Sequence, residues 1–397
     1  MEYVFSDNLN RLKPSIIREL LKQMSDPNLI SFAGGNPAAE GFPLEDIRRI
    51  SDKLLQEDGV NVLQYGVTEG YTPLRKAAVD FFSRTETVLR KNDDVAIFSG
   101  GQQIVDFTVK CLCNPGDTVI CENPSFLGAL NAIRSHGVNL VGIDIEADGL
   151  NVAQLEQALK TPKKPKFMYL IPNFQNPTGV TLSAEKRKAV YNLAVKYQVP
   201  ILEDNPYGEL RYSGEAVPSI KSLDEAGVVI YAASFSKIMC PGMRLAACIA
   251  DKTLLGKMVI CKQTNDVHST LWSQRVCERI LATVDMEAHL AHLRAVYKEK
   301  SQLMLSCMEQ HFPADAMWTR PEGGMFVWVT LPRRIDAPQF IKQALEQGVA
   351  VVPGAAFYAD DTQASQGMRM CFSTAPKEDI VRGITILGDL MKVEAKR

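Results

Sequence analysis

The chain has 397 residues, 46% hydrophobic and 23% charged, which is enough apolar material for a substantial core and excludes a disordered chain. Forty-four basic against forty-six acidic residues give a formal charge of −2, too balanced for the attraction a phosphate backbone demands, so no nucleic-acid partner is expected. The amino terminus lacks a basic start followed by an apolar stretch, and no window approaches the roughly 18 apolar residues of a spanning helix; the expectation is no membrane association and a cytoplasmic location.

Taken in chain order, residues 14–24 read as a helix, followed by the glycine-rich turn Phe32-Ala33-Gly34-Gly35-Asn36-Pro37, which cannot form a core by itself. Residues 40–60 read as a linker. From 95 to 250 short apolar runs alternate with amphipathic stretches, the rhythm of strand, crossover helix and parallel strand. Strands are predicted at 95–99, 118–122, 139–143, 167–171, 201–203, 228–232 and 246–250, several of them apolar without alternation, as in strands covered on both faces. Helices are predicted at 103–112, 126–136, 184–197 and 252–262. Residues 271–310 read as further helices, and the runs 325–331, 349–352 and 368–372 with helices at 338–346 and 377–392 as a smaller α+β unit. The length exceeds one ordinary core. The expected division is a large doubly wound, mostly parallel domain over 45–285 and a smaller one built from 1–44 and 286–397.

Nine scattered cysteines suggest reduced thiols rather than a disulfide framework. Cys111 and Cys113 lack the spacing of a zinc pair, and His289 and His292, able to share a helical face, have no third ligand nearby in sequence. No metal is expected.

The chemistry gathers at predicted strand ends, where a doubly wound sheet binds its ligands. Lys237 closes the run Ala233-Ser234-Phe235-Ser236-Lys237, with Arg244 seven residues on. Asp204 and Tyr207 lie in Asp204-Asn205-Pro206-Tyr207, and Asn176 opens Asn176-Pro177-Thr178-Gly179. An amine, an acid, a phenol, an amide and a guanidinium in these positions are what holds pyridoxal 5′-phosphate covalently. The amine must be neutral for part of the cycle, which desolvation and nearby cations favour. An acid against the ring nitrogen keeps the pyridine protonated, while a phenol and an amide tune the phenolic oxygen. The phosphate needs amides at a helix amino terminus and a fixed cation, for which Ser99-Gly100-Gly101-Gln102-Gln103, Ser234, Ser236 and Arg244 serve. Phe126 offers a flat face to the ring. Each signal alone has a plainer reading: a surface lysine, a turn aspartate before Asn205-Pro206, a tight strand-to-helix turn, a core phenylalanine.

Together, in chain order, these motifs resemble the fold-type-I pyridoxal-phosphate aminotransferases of class I/II, and most closely their 2-aminoadipate, kynurenine and aromatic branch. The resemblance runs from Ile30-Ser31-Phe32 to Gly367-Met368-Arg369-Met370. It implies the type-I fold, with Lys237 as Schiff-base lysine and proton shuttle, Asp204 as ring-nitrogen partner, and Tyr207 and Asn176 on the phenolic oxygen. Gly101, Gln102, Ser234, Ser236 and Arg244 would bind phosphate. Arg369, with Asn176 and the backbone of Gly34 and Gly35, would clamp the substrate α-carboxylate. Tyr65 would reach the phosphate of a neighbouring subunit, implying a homodimer with shared active sites. Arg18 would meet a distal carboxylate, unless it is a surface residue of its helix. Phe126 stands where many relatives have tyrosine and Gly101 where they often have serine; ring face and backbone preserve both contacts.

The implied function is transfer of the amino group of an aromatic, branched or 2-aminoadipate-like L-amino acid to a 2-oxo acid, with 2-oxoglutarate as acceptor and ping-pong kinetics. A pyridoxal-phosphate C–S β-lyase is the alternative enzyme. A regulator fusing this fold to a DNA-binding module is the non-enzymatic one, and the short stretch before Phe32 is expected to leave it no room.

Overall fold

The structure, a computed structural model, describes residues 1, 3–10, 12 and 29–394. The helix expected at 14–24, and Arg18 with it, lies outside them.

An eight-stranded sheet dominates the fold, built from β2 (Asp93–Phe98), β3 (Thr118–Asn123), β4 (Asn139–Glu146), β5 (Gly149–Leu150), β6 (Met168–Leu170), β7 (Ile201–Asn205), β8 (Val229–Ser234) and β9 (Ala246–Asp251), after a short β1 (Ile30–Ser31) outside it. Its order is β2-β9-β8-β7-β6-β3-β4-β5. The pairs β8/β7, β7/β6, β6/β3 and β3/β4 are parallel, while β9 runs against both β2 and β8. This is the mostly parallel, doubly wound sheet that the alternating runs predict. The inner strands are apolar throughout because both faces are covered: every residue of β8 is buried, whereas the outer β4 alternates in exposure. Since β2 points the same way as β8, the carboxyl ends of β2, β3, β6, β7 and β8 lie at one edge. The loops after them, at 99–101, 124–126, 171–183, 206–208 and 235–240, crowd there.

Helices cross between strands as expected at Gly101–Leu112, Leu127–Ser135, Ala184–Tyr197 and Lys252–Gln263. The supposed linker at 40–60 is instead a helix, Leu44–Val62, kinked at Asp58 where φ is −150°. Its buried residues, Ile50, Leu54 and Val62, are few along a mostly charged surface, so the apolar stripe is too sparse to stand out in the sequence. Helices Thr72–Phe82 and Val152–Leu159 also went unpredicted; the second is capped by Asn151, whose Oδ1 accepts from Gln154 N at 2.8 Å.

The carboxy-terminal part carries β10 (Met317–Trp318), β11 (Phe326–Thr330), β13 (Val352–Pro353) and β14 (Gly367–Cys371) in an antiparallel sheet ordered β10-β11-β14-β13. The expected strand at 349–352 divides into β12 (Val349–Ala350) and β13, because the two pair in different directions. β12 pairs in parallel with β1 (Ile30↔Val349, Ser31↔Ala350), and Cys371 N donates to Phe32 O at 2.9 Å. The glycine-rich turn after β1 is thereby fastened to residues more than three hundred positions away in sequence.

One buried charge cluster pins the amino-terminal edge of the large sheet. Lys221, fully buried, pairs with Asp93 at 2.8 Å and Asp224 at 3.0 Å and donates to Val229 O at 2.8 Å. Asp224 in turn accepts from Val228 N and Val229 N, fixing the entry to β8. Removing the cation strands two carboxylates in a dry site. Lys221→Met is expected to cost about 3–5 kcal/mol of unfolding free energy, read as a lower urea midpoint.

Candidate active site

Three strand ends and the small sheet converge on one pocket. Asp204, the penultimate residue of β7, is buried, and its Oδ2 accepts the hydroxyl of Tyr169 from β6 at 2.7 Å. The parallel register sets Tyr169 beside Leu202, so Tyr169 and Asp204 share one face of the sheet, as residues two apart on a strand do. A Cβ added at Gly101 would stand 3.6 Å from Asp204 Oδ1, so the first turn of helix Gly101–Leu112 lies beside the acid. Burial raises the Asp204 carboxyl to about 6, with the Tyr169 hydrogen bond pulling back down.

Lys237 follows β8 in the turn after Ser234 and Ser236, both buried, and its Nζ donates to Gly35 O at 2.6 Å. Burial lowers the amine to about 8. Cys371 opposes the shift, and the charges of Arg369 and Arg244 reinforce it. The sequence expectation of a desolvated amine among cations therefore has its counterpart in the geometry.

Arg369 sits in the middle of the small sheet, paired across it with Trp328 and Val352, and is 2% exposed. It donates to Asn176 Oδ1 at 3.1 Å, Ala33 O at 2.7 Å and Gly34 O at 3.1 Å. Phe326 and Phe357 lie 4.5 and 5.2 Å from the guanidinium carbon. Its buried Nε has no partner, and among the described residues no carboxylate is paired with it. Burial lowers its pKa, the expected response of a cation without a counter-ion. Tyr207, buried and edge-on to Phe326 with ring centroids 5.8 Å apart, has its phenol held up by burial, against the pull of Arg369.

At the start of helix Gly101–Leu112 a cavity of about 820 Å³ is lined by Ser99, Gln102, Phe126, Arg244 and Asn265, among others. Gly100 has φ +87°, and any Cβ there would collide with the Arg244 guanidinium, so glycine is needed for the cation to reach the cup. Gln102 Nε2 donates to Gly128 O at 2.7 Å, and Ser236 N donates to Ser234 Oγ at 3.2 Å. Behind the cup the buried Lys262 amine holds Gln103 Oε1 at 2.8 Å, Asp266 Oδ1 at 2.9 Å and Ser269 Oγ at 3.0 Å. Tyr65 is 81% exposed, and its ring meets His268 edge to face at 5.7 Å.

The donor set fits pyridoxal 5′-phosphate: a cationic cup at a helix start, a buried acid beyond it, an aromatic residue alongside and a lowered amine opposite. Two orphaned buried atoms, Arg369 Nε and Ser125 Oγ, border the same region. The sequence-predicted Gly101, Gln102, Phe126, Asn176, Asp204, Tyr207, Ser234, Ser236, Lys237, Arg244, Gly35 and Arg369 are gathered around the strand ends. Tyr65 stands apart on the surface, and Arg18 lies outside the described residues.

Sequence reasoning missed Tyr169, Lys262 and the acid Glu122. No sequence signal marks Tyr169, which meets Asp204 through the register of β6 with β7; Lys262 and Glu122 likewise meet their partners only through tertiary packing. Glu122, at the end of β3, is 2% exposed and accepts from Ile171 N at 3.0 Å and Gln175 Nε2 at 3.3 Å. Gln175 Oε1 accepts from Thr178 N and its hydroxyl, so Glu122 supports the loop that carries Asn176.

The family described as aminotransferase class I and II matches residues 27–387. The chain is 40% identical to aromatic-amino-acid aminotransferase 1 of Thermococcus litoralis, over 100% of this chain and 96% of that one. It is 37% identical to a 2-aminoadipate transaminase of Thermus thermophilus, over 98% and 96%. Among solved structures, the kynurenine aminotransferase of Pyrococcus horikoshii in complex with PMP superposes with a TM-score of 0.95 at 38% identity, covering 99% of this chain and 98% of that one.

The buried acids make stability depend on pH in a definite direction. Burial raises Glu122 to about 8, Glu203 to about 7 and Asp204 to about 6. The folded chain holds these protons where the unfolded chain has lost them, so unfolding free energy falls as pH rises from about 4.5 and levels off above about 8. Glu122→Gln in cofactor-free protein is expected to remove the part of this decline between pH 7 and 8, measured by denaturant midpoints.

Proposed function

The chain belongs to the class I and II aminotransferases, pyridoxal-phosphate enzymes of fold type I, and we propose that Lys237, Asp204 and Tyr207 carry its amino-group transfer. The cofactor, when bound, supplies an electron sink for charge developing at the substrate Cα.

The single observation that carries the assignment is the convergence of Arg369 and Lys237 on one loop. The guanidinium binds the carbonyls of Ala33 and Gly34, and the amine binds that of Gly35. A substrate α-carboxylate drawn to the unneutralised Arg369, with Asn176 beside it, would bring its Cα to the Lys237 Nζ. There the amine, already lowered by burial, accepts the proton from Cα and returns it on the far side of the transfer. Asp204, with one oxygen occupied by Tyr169, would offer the other to the ring nitrogen of the cofactor. The phenol of Tyr207 and the amide of Asn176 would hold its phenolic oxygen. Gly101, Gln102, Ser234, Ser236 and Arg244 would hold its phosphate, and Phe126 would cover its ring. The dry surroundings of Arg369, Asn176, Asp204 and Tyr207 would strengthen the contacts made there.

For the donor we propose aromatic, branched and 2-aminoadipate-like L-amino acids, and for the acceptor a 2-oxo acid, 2-oxoglutarate first. The names of the similar proteins support this range, and Arg18 remains our candidate for a distal carboxylate. We also propose a unit of residues 45–285 holding the cofactor and a unit of 1–44 with 286–397 bearing Arg369; the β1–β12 pairing supports joining the two ends of the chain. Among the described residues no helix is long and apolar enough to cross a membrane, and all nine cysteines are free, which supports a reducing, cytoplasmic setting.

A homodimer with shared sites is proposed from the surface around Tyr65. Val60, Leu63, Tyr65 and Val67 are each more than half exposed, an apolar patch that a second copy would cover.

Two tests follow. A panel of amino acids offered with 2-oxoglutarate should show turnover and a reversible change in cofactor absorbance. Lys237→Ala should abolish both, and borohydride should fix cofactor to the Lys237 peptide of the parent enzyme alone. Inactive Tyr65→Ala and Lys237→Ala chains, when mixed and reassembled, should regain roughly a quarter of wild-type activity if Tyr65 serves the partner subunit, as one complete site per hybrid dimer requires. No recovery would place its action within one chain.

A further inference from the structure

The helix that opens with the phosphate cup ends at Leu112, one residue past Cys111. Packed against it is the helix Lys252–Gln263, which carries Cys261. The two sulfurs are 3.7 Å apart, and both residues are only partly buried. A cavity of about 380 Å³, lined by Cys111, Leu254 and Lys257 among others, opens beside Cys111. Directly after Cys261 comes Lys262, whose amine braces Gln103, Asp266 and Ser269 behind the cup; Gln103 Oε1 also accepts from Ser99 N at 2.9 Å. The thiol pair therefore lies where the cup's own helix meets the helix that supports it.

We propose that Cys111 and Cys261 are an oxidisable pair, a disulfide site that staples the cofactor-phosphate helix to the helix bracing it. The sulfurs stand at van der Waals contact and need to approach to about 2.05 Å, a closure within reach of side-chain rotation and a small helix shift. With a peroxide as oxidant, one thiol loses its proton and its sulfur attacks the peroxide oxygen, giving a sulfenic acid and one water. The second sulfur then attacks the first, the S–O bond breaks, and the departing hydroxide takes the remaining proton as a second water. Two thiols and one hydrogen peroxide thus become one disulfide and two waters. Burial, with Cys261 adding to it, pushes the Cys111 thiol up to about 12, so Cys111 keeps its proton at neutral pH. The bridge would limit relative movement of the two helices, and with it the opening of the cup through which the phosphate leaves.

The holoenzyme is treated with hydrogen peroxide at pH 8.5, the remaining thiols are alkylated, and the protein is digested without reductant. A peptide joining Cys111 to Cys261 within one chain is expected. Release of cofactor into a large excess of buffer, followed by absorbance, is expected to slow by about threefold or more in the bridged protein and to return to the original rate with dithiothreitol. Cys111→Ser and Cys261→Ser should each remove the peptide and the slowing, with turnover of the reduced enzyme unchanged. Linkage to Cys113 or Cys240, a bridge between chains, oxidation to sulfinic acid without linkage, or a bridge that leaves release unchanged would each overturn the proposal.

Discussion

A guanidinium enclosed by two phenyl rings, with carbonyl oxygens and an amide for company and, among the described residues, no acid to neutralise it, is the constraint on which the site rests. Burying Arg369 in this way is costly, because cations are poorly stabilised in low dielectric. The cost is tolerable because the small sheet fixes the side chain from both neighbouring strands and three hydrogen bonds satisfy most of its donors. What is left unsatisfied, Nε and the charge itself, is what a substrate carboxylate can satisfy. The same positive potential reaches Lys237 and helps to hold its amine low. In the proposed roles, anchoring substrate and preparing the base would be two effects of one buried charge.

Opposite this cation stand acids that dryness keeps protonated longer than usual. Asp204 is flanked by Tyr169, and Glu122 lies behind the loop of Asn176. A ring nitrogen bearing a proton would give Asp204 the positive partner that the surrounding protein withholds. Among the described residues the pocket is thus electrostatically incomplete on both sides, lacking an anion paired with Arg369 and a cation paired with Asp204. A zwitterionic pair of ligands, an amino acid's carboxylate and a pyridinium, is the complement of that pattern.

Much of this was legible from the chain because strand ends carry their functional residues next to apolar runs. The strand of Ile201–Asn205 delivers Asp204, and that of Val229–Ser234 leads to Lys237, at positions that apolar runs alone locate closely. The glycine pair at 100–101 announced a helix start. Helix Leu44–Val62 was not legible because its buried stripe is thin and its kink falls at Asp58. Tyr169 was hidden in a run that reads simply as core, since only the register with β7 turns its hydroxyl toward Asp204. The grouping of Glu122 with Gln175, and of Lys262 with Gln103, comes from segments far apart in sequence, and no periodicity announces such contacts.

The pairing of β1 with β12 has a consequence for biosynthesis. The large sheet draws all its strands from 93–251 and can close while the ribosome is still making the rest. The proposed carboxylate clamp cannot: Ala33 and Gly34, made before the sheet, wait for a strand at 349–350 to fasten the loop and for Arg369, which follows the sheet in sequence. With the proposed roles, a nascent polypeptide would acquire its vitamin-binding half before it could grip an amino acid, and truncation ahead of Arg369 would leave a coenzyme carrier without a substrate.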